Sequence, residues 1–129
     1  MTQEDKELLL KDLCARLPYG VRCKHFTWDD ERSEECMAAK MYSISSNGYV
    51  ENCYDDYTDY IEYVLPYLFP LSSMTEKQKN EYQYITERWM YDSAYSISDS
   101  TDWLNKNHFD YRGLIEKGLA IDATGLNIY

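Results

Sequence analysis

Two histidines, four cysteines and one run of interleaved acids and tyrosines are the residues of this chain with chemistry to offer. His108 is the better candidate acid or base, because Asp110 lies close by in sequence and Cys14 or Cys23 could approach it in the fold. The ordinary alternative is a histidine at a helix end that caps it or interacts with its dipole. No G-x-S-x-G elbow, phosphate loop, dinucleotide glycine pattern or H-E-x-x-H is present, so the expectation is no enzyme, with a small enzyme using His108 as an alternative. Arg112 sits among Phe109, Tyr111 and Leu114 and could hold a ligand anion, stack on a ring or pair with Asp110.

A zinc site can be drawn from Cys23, His25, Cys36 and Cys53, but the close-paired ligand spacing of structural zinc modules is missing. Reduced, buried thiols are the default reading. Asp29, Asp30, Glu31, Glu34 and Glu35 are clustered carboxylates without the alternating ligands, turn glycine and terminal Glu of a calcium loop, so a hydrated hairpin tip is expected there. No metal and no cofactor are expected.

The most unusual stretch is Glu51 to Tyr63, ENCYDDYTDYIEY. It holds five acidic residues (Glu51, Asp55, Asp56, Asp59 and Glu62), no basic one, and Tyr54, Tyr57, Tyr60 and Tyr63 at every third position. No Lys or Arg occurs between Lys40 and Lys77. Tyrosine supplies contact area with few rotors to freeze, so this run is the expected contact surface for a protein partner with a basic surface, formed by Glu51, Tyr54, Asp55, Asp56, Tyr57, Asp59, Tyr60 and Glu62. A second reading is an inhibitor that imitates a phosphate backbone and occupies the basic cleft of a nucleic-acid enzyme. The bland reading is a solvated loop whose tyrosines cap the sheet.

The whole chain supports the same direction. Its 129 residues form one expected domain, able to bury about two thirds of its unfolded surface without a metal or disulfide. With 13 basic and 23 acidic residues the net charge is −10, which argues against direct binding to nucleic acid or to an anionic membrane. The N-terminus carries acidic residues where a signal peptide needs positive ones, and no apolar run approaches the roughly 20 residues of a spanning helix, so a cytoplasmic protein is expected.

The elements that must position these residues are an amphipathic helix, a small sheet and a helical half. Thr2 and Asp5 form a capping pair ahead of Leu9, Leu10, Leu13, Cys14 and Leu17, and Pro18 ends that helix. Strands are expected over 20–28, 36–45 and 49–53, the last two joined by a type I′ turn at Asn47-Gly48, with a fourth over 60–64. Met37, Ala39 and Met41 compete with Ala38, Tyr42 and Ile44 for the inner face. Pro66 and Pro70 then forbid a helix or a central strand over 63–71, while Val64, Leu65, Leu68, Phe69 and Leu71 call for burial. A buried, extended connector follows.

After it, Ser73 with Glu76 or Thr75 with Gln78 opens a helix carrying Tyr82, Ile85 and Trp89. A loop is expected over 93–100, a second helix from Ser100 or Thr101, then a short helix or irregular turns ending at Gly118, and a frayed tail over 122–129. The fold class is α+β: an N-terminal helix, a three- or four-stranded antiparallel sheet or partial barrel within 1–66, and a helical half over 67–121.

Three pieces, LPYGVRCK at 17–24, IEYVLPYLFPLSSMTE at 61–76 and HFDYRGLIEKGLAIDA at 108–123, resemble a group of short uncharacterised proteins of gut Bacteroidetes and their phages or prophages. Leu65 and Phe69 depart from the group's connector pattern, where Lys and Arg stand before the two prolines. The resemblance implies a bacterial or phage setting, a cytoplasmic life and a small accessory factor of mobile elements. It carries no mechanism.

Overall fold

The computed structural model describes residues 1–25, 39–45, 49–52, 55–88 and 97–129. The chain is α+β, with an N-terminal helix, a mixed sheet and later helices. Helix α1 (Gln3–Arg16) begins at the Thr2 and Asp5 capping box, in which each side chain accepts the other's backbone N–H at 3.1 Å. Leu9, Asp12, Leu13 and Arg16 recur at three and four and form its buried stripe. It stops ahead of Pro18, as expected, in a single 3-10 turn (Leu17–Tyr19). Gly20 releases the chain at φ 71°, where a Cβ would also lie 3.3 Å from the Lys40 side chain.

Strands β1 (Arg22–His25), β2 (Ala39–Ile44), β3 (Tyr49–Asn52) and β4 (Asp55–Tyr60) form an antiparallel series, extended by β5 (Val64–Pro70). Two-residue strands β6 (Phe109–Asp110) and β7 (Ile121–Asp122) pair with β5 in parallel, giving the order β4-β3-β2-β1-β5-β6 with β7 also on β5. The expected hairpin of β2 and β3 is present, closed by the Ser45 N–H donating to the Tyr49 carbonyl at 2.9 Å. Its Asn47-Gly48 turn lies outside the described residues. The competing faces of β2 have a simple cause. Register shifts between Met41 and Ser43, so both Met41, fully buried, and Ile44, partly buried, pack on the core.

The fourth strand does not run over 60–64: it is β4, and Ile61–Tyr63 is a 3-10 turn. The connector is buried and extended, yet it is a central strand, which its prolines were expected to forbid. Cys23 and Pro66 are register partners, and proline has no N–H, so that position is a non-hydrogen-bonded pair and the Pro66 nitrogen turns away from β1. Pro66, Leu68 and Pro70 share one parity. The missing N–H groups therefore flank Leu68 on the edge that, among the described residues, β7 alone uses, where the Leu68 carbonyl accepts from the Ala123 N–H at 2.8 Å, while β6 meets the other edge through the Phe69 N–H and the His108 carbonyl at 2.8 Å. Leu71, expected inside, is exposed.

The C-terminal tail, expected to fray, is packed instead. Residues 121–122 are a strand, Ala123 is buried, and Tyr129 is anchored to β1 and β5.

In the C-terminal part, Thr75 and Gln78 are the capping pair that opens α2 (Glu76–Arg88), while Ser73 instead donates to the Pro70 carbonyl. Helix α3 (Ile97–Lys106) begins within the stretch expected as a loop. The expected irregular turns after it are present, with Gly113 and Gly118 at φ 74° and 73°. The core lies between α1 and the sheet, where Leu9, Leu13, Val21, Val64, Leu68 and Leu114 are fully buried.

Candidate functional site

Of the acidic, tyrosine-rich run, 51–52 lie in β3, Asp55–Tyr60 form β4, the end strand of the sheet among the described residues, and Ile61–Tyr63 is the 3-10 turn that follows. Glu51 lies in β3, and Asp55, Asp56, Tyr57, Asp59 and Tyr60 lie in β4. Tyr54 falls outside the described residues. Tyr49 and Tyr60 are register partners, with ring centroids 4.8 Å apart and hydroxyls 3.4 Å apart. That hydroxyl contact, followed by the partner's charge, raises the Tyr49 pKa. Tyr63 meets Tyr60 edge-on at 6.4 Å. Tyr60 and Tyr63 are 48% and 50% exposed, so much of each ring faces water. Glu62 is exposed beside them and pairs with Lys6 of α1 at 3.0 Å, a solvent-screened bridge that contributes little.

A second cluster is buried. Asp12 and Arg16, one turn apart on α1, are both fully buried. The Arg16 Nε donates to Asp12 Oδ2 at 2.8 Å, and its Nη2 donates to the Phe109 carbonyl at 2.6 Å. Arg112 donates to Asp12 Oδ1 at 3.1 Å and to the Tyr111 hydroxyl at 3.1 Å, and that hydroxyl donates in turn to Asn105 Oδ1 at 2.9 Å. Both guanidiniums lie over the Tyr111 ring, at 5.3 and 4.8 Å. One carboxylate thus ties α1 to the segment after β6. Arg16 Nη1 is left buried without a hydrogen-bond partner.

Nearby, His108 occupies a left-handed position at φ 63° just past α3, its N–H donating to the Asn105 carbonyl at 3.1 Å. Its ring stacks on Tyr129 at 3.6 Å, and Nδ1 is buried without a partner. Burial, and then the Arg16 charge, lower its pKa to about 4, so the imidazole is neutral at pH 7. Of the residues expected to activate it, Asp110 is engaged elsewhere. Asp110 accepts the Leu114 and Ile115 N–H groups at 3.0 Å, Cys14 is exposed, and Cys23 is fully buried with its thiol pKa pushed up by that burial. Arg112 stacks on an aromatic ring as expected, and its carboxylate partner is Asp12, not Asp110.

The Asp12 to Arg112 tie was not anticipated. Its one local trace is the Asp12 and Arg16 pair at i and i+4, set on the same stripe as Leu9 and Leu13. The Asp29 to Glu35 cluster, Cys36 and Cys53 lie outside the described residues, and among those described no group of His, Cys, Asp and Glu could hold a metal. No described helix is long and apolar enough to cross a membrane. Comparison with protein-family models, with curated proteins and with solved structures finds no match to this chain.

Proposed function

We propose that this protein is a non-enzymatic binding factor that engages a protein partner with a basic surface through the end of the β3–β4 hairpin, as a small accessory factor in a bacterial or phage setting. The observation that carries the reading is the contact of Tyr49 on β3, Tyr60 on β4 and Tyr63 in the turn that follows, the last two half exposed. Exposed, mutually braced tyrosines offer apolar area and hydroxyls at little entropic cost. The surrounding charge favours a basic partner and disfavours nucleic acid.

The test is a photo-crosslinking residue placed at Tyr60 and, as a control, at Tyr84, an equally exposed tyrosine on α2. In the native host a discrete protein adduct is expected from position 60 and not from 84. Loss of that adduct on replacing Tyr63 with Ala supports the reading. Equal labelling from both positions, or none from 60, refutes it.

A further inference from the structure

We propose that the partner docks by strand addition: an extended, Lys-rich segment pairs with the outer edge of β4. The proposal rests on the reading above and adds the binding mode. Among the described residues β4 ends the sheet, and no strand pairs with its other edge. The direction of its backbone groups follows from the ladder. The Ser45 N–H donates to the Tyr49 carbonyl, so Tyr49 turns its backbone groups toward β2. Successive residues alternate edges, so Val50 turns toward β4, where its register partner is Asp59. Asp59 therefore faces β3, while Thr58 turns its N–H and C=O outward and Tyr60 its N–H, the Tyr60 carbonyl being taken as the N-cap of the Ile61–Tyr63 turn.

An open strand edge is a template for another chain, and the charge on this one selects the occupant. Asp55, Asp56 and Asp59 place three acids in six residues of β4, with no basic residue from position 41 to 76. A second copy of β4 added to the first would set like charges across the new pair, which opposes self-association. A strand carrying lysines meets the opposite situation. Its backbone would pair with the Thr58 N–H and C=O and with the Tyr60 N–H, and its apolar side chains would lie within reach of the tyrosine cluster.

The probe is a synthetic peptide of alternating Lys and Val, six residues long with blocked ends, against a Glu and Val peptide of the same length, each added to the full chain. Amide hydrogen exchange of the unaltered protein is the first readout: the Lys peptide is expected to slow exchange at Thr58 and Tyr60, and the Glu peptide to leave it unchanged. Thr58→Pro removes one outward N–H and spares the β3 ladder, a place where edge strands tolerate proline. It is expected to weaken the Lys peptide by about tenfold or more.

Unchanged exchange at both amides with the Lys peptide, or equal protection by both peptides, overturns strand addition. So does protection that grows with protein concentration alone, which would mean pairing between copies. If Thr58→Pro still gives the crosslink from position 60, strand addition fails while the tyrosine surface stands. If the peptide protects both amides but no crosslink forms in the host, the biological reading fails and the edge remains a pairing site.

Discussion

Asp12 and Arg112 are 100 residues apart in the chain and 3.1 Å apart in the fold, and the same carboxylate holds the fully buried Arg16 at 2.8 Å. Two guanidiniums thus share one counter-ion at the joint between α1 and the segment after β6.

Removing that acid is expected to cost far more than removing an exposed one. Asp12→Ala leaves Arg16 buried without its counter-ion, at about 3–5 kcal/mol, whereas Glu62→Ala at the exposed Lys6 bridge should cost about 0–1 kcal/mol. Combining Asp12→Leu with Arg16→Met, both apolar and close in shape to the residues they replace, should recover much of the loss. Urea unfolding of the variants checks this, and equal midpoints for the two single variants would contradict the buried network.

The His108 imidazole is lowered from 6.5 to about 4 in the fold, first by burial and then by Arg16. Between those values the unfolded chain binds the extra proton, so stability rises with pH across the window and is lost as pH falls from about 6.5 toward 4. Below both values the contribution is gone. His108→Asn keeps a residue that tolerates the left-handed φ of 63° and removes the titration. The variant should lose about 1–2 kcal/mol less than the natural chain between pH 7 and 4.5, a figure already reduced for the solvent-exposed part of the ring. Parallel pH profiles for the two proteins would rule out a buried neutral His108.

The Tyr129 hydroxyl stands where the next register pair of β1 and β5 would be. It accepts the Arg22 N–H at 2.9 Å and donates to the Tyr67 carbonyl at 2.7 Å. Although the residue is 42% exposed, the hydroxyl itself is enclosed, and that burial raises its pKa. Tyr129→Phe leaves two backbone groups without their bridge and is expected to destabilise by about 1–3 kcal/mol, with faster exchange of the Arg22 amide. An unchanged Arg22 exchange rate would show that the hydroxyl is not inserted there.

Local pattern was enough for the α1 capping box, the stop ahead of Pro18, the β2 and β3 hairpin and the Thr75 cap, because each is decided by residues within a few positions of one another. The acidic tyrosine run was also plain, since composition alone sets its charge. Only the tertiary structure decided that the run is an end strand, that a proline-bearing segment is a central one, and that Asp12 meets Arg112. Each of those depends on which distant segment supplies the partner. Parity on β5 lets both prolines turn their missing N–H to the edge that β7 joins, and no local signal announces where β7, β6 or Tyr129 will arrive.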